Sequence, residues 1–168
     1  MNSRQQKGFT LIELLIVIVI IGILAVVIFV AVDPAKRFAD ARNARRFSEV
    51  NSILEALLTY QIDQRGKLPN NGTGFNIIDS DALTSQIFGS GASGCDTGCA
   101  AAGTTLAACA NLTPAAVAFI DQYLAEMPID TEGGSSTKTL YYVNKTANGR
   151  LKVGSCAAEN SVVISVQR

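Results

Sequence analysis

The sequence predicts an α+β fold: a long N-terminal helix whose C-terminal half packs against a small antiparallel three-stranded sheet. Three observations carry this. An uncharged, almost wholly Leu/Ile/Val/Phe run spans Leu14 to Val32. An apolar stripe at three- and four-residue spacing follows it. Three strand-like runs, two of them joined by Asn148-Gly149, close the chain.

The first run is long enough to cross a bilayer, since nineteen residues at about 1.5 Å each make roughly 28 Å of helix. The stripe that follows comprises Phe38, Ala41, Phe47, Val50, Leu54, Leu57 and Leu58. Arg42, Arg45, Arg46, Glu49, Asn51 and Ser52 occupy the other side. Read from Phe9 to about Asp63, the helix runs for roughly 80 Å at that rise. Asp33-Pro34 should kink or briefly break it, because proline lacks an N–H and disfavours helix at the residue before it. Asp33 could equally cap a second helix with Pro34 in its first turn. Gly22 is a weaker point, and Arg65-Gly66-Lys67-Leu68-Pro69 ends the helix.

Residues 70–111 are rich in Gly, Ser, Thr and Ala and read as loops, with one short helix over Asp79 to Phe88. Thr113-Pro114 opens a helix expected over 114–127, which Met127-Pro128 stops. Strands are expected at Leu140 to Lys145, Arg150 to Cys156 and Ser161 to Gln167, a meander within 140–167. The expected divisions are a leader at 1–8, an apolar helix at 9–33, its amphipathic continuation at 34–64, and a globular head at 65–168.

Composition removes several functions. The chain has no His, so His-based acid–base chemistry, Ser-His-Asp triads and His-ligated metals are excluded. There is no Gly-rich phosphate loop and no nucleophile beside a base, so no enzymatic activity, cofactor or metal is expected. The precursor has 14 basic and 14 acidic residues. Loss of Arg4 and Lys7 with the leader would leave 12 basic against 14 acidic, and no broad basic field argues for nucleic-acid binding.

Cys95, Cys99, Cys109 and Cys156 all lie beyond the apolar run, and an even count in a loop-rich region suits disulfides in an oxidising compartment. Of the three possible pairings, Cys95 with Cys99 and Cys109 with Cys156 is the one expected. Free buried thiols are the alternative, and Cys-x3-Cys-x9-Cys is poor spacing for zinc.

The most informative segment is Lys7-Gly8-Phe9-Thr10-Leu11-Ile12-Glu13-Leu14. A short basic leader precedes Gly-Phe, and the apolar run begins at once. An ordinary secretory signal would carry its small-residue site after the apolar run. This junction resembles the class III signal of type IV prepilins and of type II secretion pseudopilins. The resemblance is strong over the leader and first helix and holds in outline for the helix-plus-sheet layout. It implies cleavage after Gly8, with Lys7 as the preceding basic residue, by a prepilin peptidase that also methylates the new N-terminal Phe9. It further implies that Glu13 is the assembly residue. The partners implied are an assembly platform, the inner membrane before assembly, and further copies of the chain in a helical filament at the cell surface.

The chemistry of Glu13 supports that role separately. It is the only charge between Lys7 and Asp33, and a carboxylate beside lipid is costly unless neutralised or paired. Cleavage would create an α-amine four residues away. Paired between neighbouring subunits in an apolar setting, the two charges would fix axial register more than add net stability. A Glu that merely reaches headgroups is the plainer reading.

Two features stay open. Lys36, Arg37, Arg42, Arg45 and Arg46 outnumber the basic residues of the leader, and a positive-inside count would hold the head in the cytoplasm. The cysteines and the prepilin resemblance place it outside. The same basic cluster could meet lipid headgroups, DNA or acidic groups of a neighbouring subunit, though such clusters are more often a solvated helix face. Asp130 and Glu132 are loosely similar to the calcium-holding loop of some major pseudopilins, without a dense set of oxygen ligands. The functions in contention are a type IV pilus subunit for adhesion, twitching motility or DNA uptake, a type II secretion pseudopilin, and a permanently anchored extracytoplasmic binding protein.

Overall fold

The structure, a computed structural model, describes residues 8–69, 84–113 and 119–168. Packing divides the chain between Ala39 and Asp40 into two units.

In the first unit, helix α1 spans Leu11–Val32. None of its residues is buried, and it is long and apolar enough to cross a membrane. It stops at Asp33, which adopts a left-handed conformation (φ 45°, ψ 75°). Helix α2 then spans Pro34–Asp63, with the Asp33 carboxylate accepting from the Lys36 N–H at 3.3 Å. The expected break is therefore real: Asp33 leaves one helix and caps the next, and Pro34 occupies a first-turn position where its missing N–H costs little.

The second unit contains the rest of α2 and the sheet. α2 ends where Arg65 and Gly66 take positive φ. The Gly66 N–H reaches Gln61 O and the Arg65 N–H reaches Ile62 O, which satisfies the last carbonyls. The strands are β1 (Thr84–Ile87), β2 (Thr104–Thr105), β3 (Tyr141–Lys145), β4 (Leu151–Ser155) and β5 (Ser165–Gln167), in the order β2-β1-β3-β4-β5. β1, β3, β4 and β5 form a four-stranded antiparallel sheet, and the two-residue β2 adds to its edge in parallel.

The expected three-strand meander is thus correct in its members and short by one. The missing strand is β1, where a helix had been expected over Asp79 to Phe88; residues 79–83 of that expectation lie outside the described ones. Gln86 pairs with Val143 and Ile87 with Tyr142. Pairing against β3 decides the conformation of a segment whose own propensity is indifferent.

A second departure concerns the helix expected over 114–127. Residues 114–118 lie outside the described ones, and residues 119–127 are not helical: a turn at 121–123 is closed by a bridge between Ile120 and Leu124. Asp121 has φ 73°, which a right-handed helix cannot accept, and its N–H bonds to Leu124 O. The turn lets the Phe119 and Tyr123 rings stack at 5.9 Å and both reach Tyr60 of α2, at 5.8 and 5.2 Å.

The sheet buries both faces. Side chains alternate along a strand, so Tyr141 and Val143 of β3 join Leu151 and Val153 of β4 on one side. There they pack with Val50, Ile53, Leu54, Leu57 and Tyr60 of α2. On the other side Tyr142 lies among Ile87, Cys95, Cys99 and Cys109. Tyr142 sits opposite Gly154, where a Cβ would fall 2.5 Å from the tyrosine ring. Only a residue without a side chain fits there.

The second face is held covalently. Cys95 is bonded to Cys109 and Cys99 to Cys156. Both bonds depart from the expected Cys95–Cys99 and Cys109–Cys156. In the fold, Cys156 directly follows β4, and its N–H bonds to Leu140 O. That places it at the sheet, beside the short 3-10 turn Ala100–Ala102 that Cys99 precedes.

Candidate processing and assembly site

The junction singled out in the sequence lies at the start of α1. Lys7 is outside the described residues. Gly8 and Phe9 precede the helix and are exposed, Phe9 to 80%. Exposed residues ahead of the helix are what a processing enzyme could reach.

Thr10 is the N-cap of α1, with extended dihedrals (φ −86°, ψ 151°). Its hydroxyl accepts the Glu13 N–H at 3.3 Å, and Glu13 Oε2 accepts the Thr10 N–H at 2.9 Å. The Thr10 hydroxyl also lies 2.8 Å from the same Oε2. This is a capping box, in which side chains three residues apart satisfy each other's free N–H groups. Thr10 was not among the expected site residues, although Thr-x-x-Glu before an apolar run is its sequence signature. The geometry gives Glu13 a local task and a fixed position: its carboxylate is folded back over the helix start, one residue from Phe9. Both contacts to Thr10 use Oε2.

Of the basic cluster, Arg42 and Arg46 are spent within the head, whereas Lys36, Arg37 and Arg45 stay exposed. Arg46 is buried, and its guanidinium meets Asp130 through Nε–Oδ2 at 2.6 Å and Nη2–Oδ1 at 3.0 Å. The two side chains are 3% and 0% exposed. Arg46 also reaches Glu159 at 2.9 Å and Asn43 Oδ1 at 3.1 Å. Arg42 clasps both oxygens of Glu159, at 2.7 and 2.8 Å. Hydrogen bonding to Arg42, then to Arg46, pulls the Glu159 carboxyl down to about 2. Asp130, partnering first and foremost as hydrogen-bond acceptor, raises the Arg46 pKa further above its ordinary value.

Asn43 bridges the same loop, donating to Glu159 O at 3.0 Å and accepting its N–H at 3.0 Å. Arg45 pairs with Glu49 at 2.8 Å, and Glu49 also accepts the Tyr141 hydroxyl. Burial and then that bond raise the Tyr141 pKa. Asp130, considered as a metal-loop residue, therefore has both oxygens on Arg46, and Oδ1 also accepts the Glu132 N–H at 2.8 Å. Among the described residues no cluster of His, Cys, Asp and Glu could hold a metal ion.

Residues 3–29 match the family model of the prokaryotic N-terminal methylation motif. The match covers the N-terminal segment of the chain only. It is 35% identical over 78 residues to the type II secretion system core protein G of Aeromonas hydrophila, covering 46% of this chain and 52% of that one. It is 39% identical over 79 residues to the type IV major fimbrial protein FimA of Dichelobacter nodosus, covering 45% and 49%. A third relative, the type II secretion system core protein G of Pseudomonas aeruginosa, is 40% identical over 63 residues, covering 38% and 43%. The chain spans about half the length of the curated relatives it matches. No solved structure matches it.

Proposed function

We propose that this chain is the precursor of a filament subunit of a type IV pilus. The observation that carries the reading is the junction itself: Lys7-Gly8-Phe9 directly ahead of a capped, 22-residue apolar helix with no buried residue. A prepilin peptidase cuts after Gly8 and Phe9 becomes the methylated N-terminus. Before assembly α1 anchors the subunit in the inner membrane, with the disulfide-bonded head outside the cytoplasm. An assembly platform then extracts it, and α1 packs against the same helix of other copies. The α-amine of Phe9 pairs with Glu13 of a neighbour, in surroundings where the attraction is little screened.

Mass spectrometry of sheared surface filaments tests this. The expected N-terminal peptide begins at Phe9 and carries one extra methyl group; an intact Met1 would refute it and favour a fixed membrane anchor. Glu13→Leu should give a processed, membrane-resident subunit that stays out of filaments, and a normal filament yield would remove Glu13 from the scheme.

One observation favours a second reading. Two of the three relatives above are secretion-system core proteins, matched at 35% and 40% identity. In that case the same processing yields a short periplasmic pseudopilus. Deleting the gene would then abolish export of secreted enzymes and leave surface pili intact.

A further inference from the structure

The two disulfides interleave. In chain order the cysteines are 95, 99, 109 and 156, and the bonds join the first to the third and the second to the fourth. Neither bond joins consecutive cysteines. An unstructured chain favours the opposite outcome. Closing the short Cys95–Cys99 interval is favoured over Cys95–Cys109 by roughly sixfold, and over Cys99–Cys156 by roughly fiftyfold, for flexible loops. Cys95 and Cys99 are also the first two thiols to emerge when a head follows its N-terminal anchor out of the cytoplasm, and Cys156 is the last.

The native pairs are selected by tertiary structure. Cys156 reaches Cys99 only once β4 is paired with β3, because its position is fixed by β4 and by the bond from its N–H to Leu140 O. The turn between Cys95 and Cys99 is fixed by Lys138, whose ammonium donates to Gly94 O at 2.8 Å and to both Thr97 O and Thr97 Oγ1. Afterwards Cys95, Cys99 and Cys109 are buried with Ile87 and Tyr142. A bulky protein-borne thiolate must therefore act before that cluster closes.

We infer that this chain is a client of a thiol–disulfide isomerase, a partner presenting a nucleophilic cysteine thiolate to the unfolded segment around Cys95 and Cys99. When Cys95–Cys99 and Cys109–Cys156 have both closed, the chain has no thiol of its own with which to rearrange. The partner's thiolate attacks Cys99 Sγ. A mixed disulfide forms, the Cys95–Cys99 bond breaks, and Cys95 leaves as thiolate. Cys95 then attacks Cys109 Sγ, forming the native bond and expelling Cys156 as thiolate. Cys156 attacks Cys99 Sγ of the mixed disulfide, forms the second native bond and returns the partner's thiolate. Two bonds are exchanged for two, and no electrons are gained or lost.

The inference rests on the proposed extracytoplasmic head only for where it happens. The test is oxidative refolding of the full chain in detergent, from the reduced and denatured state. One arm uses a thiol-free oxidant alone; the other then adds purified disulfide isomerase with reduced glutathione. Disulfides are mapped by peptide mass. In the first arm Cys95–Cys99 should exceed Cys95–Cys109 by about sixfold, and the second arm should convert it to the native pairs. In a Cys99→Ser/Cys156→Ser chain, Cys95–Cys109 should form without isomerase. Native pairing reached directly in the thiol-free arm, or a non-native map that isomerase leaves unchanged, would overturn the inference. Fully reduced cysteines in freshly harvested cells would instead overturn the placement of the head, whichever map refolding gives.

Discussion

Replacing Asp130 with alanine should be among the most damaging single changes in the head. Its carboxylate makes two short contacts to Arg46, and both side chains are almost wholly removed from water. Breaking such a pair from one side costs about 3–5 kcal/mol, because the remaining charge stays buried without its partner. Arg46 would keep Glu159 and Asn43, which argues for the lower end, about 3 kcal/mol. Loss of the acceptor for the Glu132 N–H adds about 1 kcal/mol. The sum of about 4 kcal/mol is a large part of the 5–15 kcal/mol typical of a domain. With a urea dependence of about 2 kcal/mol per molar, the midpoint should fall by about 2 M. The assay is urea unfolding of the detergent-solubilised full chain, followed by tyrosine near-ultraviolet circular dichroism. Arg46→Met combined with Asp130→Leu removes both charges, and such replacements are often neutral or stabilising. It should recover at least half the loss. A shift below about 0.5 M for Asp130→Ala, or a double variant as unstable as the single one, would refute the reasoning.

Other outcomes follow from the same structure. The Glu159 carboxyl is held at about 2 against an ordinary 4.5, so its stabilisation is complete above about pH 4.5 and drains away as pH falls towards 2. Glu159→Gln should flatten that part of a stability-against-pH curve; an unchanged slope would count against the clasp by Arg42 and Arg46. Removing the Cys99–Cys156 bond, with a separation of 57, should cost about 4 kcal/mol against about 3 for Cys95–Cys109, with a separation of 14. Thermal midpoints of the two Cys→Ser pairs should fall in that order, and equal falls or the reverse order would count against loop closure as the cause. Gly154→Ala should destabilise by about 1–3 kcal/mol through overpacking against Tyr142. A Tyr142→Leu background should remove most of that penalty in the same urea assay.

Much of this fold is legible in the sequence because its strongest signals are local. The apolar run of α1, the Asp33-Pro34 break, the Arg65-Gly66 stop and the Asn148-Gly149 hairpin each need only a few neighbouring residues. So does the capping box at Thr10 and Glu13. What could not be read depends on partners distant in the chain. β1 is a strand because β3 lies beside it. The turn at 119–124 is set by rings that meet Tyr60. The cysteine partners are decided by where β4 ends, not by spacing. Arg42 and Arg46 look like a solvated face until Asp130 and Glu159 are seen to meet them. Asn43 beside Arg46 was the faint hint: an Asn one turn from an Arg on a helix suggests a polar seam, but nothing in the sequence names its far side.

The two covers of the sheet fail under different insults. α2 holds one face by apolar packing, which heat or denaturant undoes and reductant leaves alone. Two sulfur bridges hold the other, which resists heat and yields to thiols. A head built this way should come apart in stages. Under reductant the segment carrying Cys95, Cys99 and Cys109 would become open to proteases first, while the helix and β3–β4 hairpin still hold each other. Damage on the disulfide side would then leave a trimmed subunit still standing on its helix.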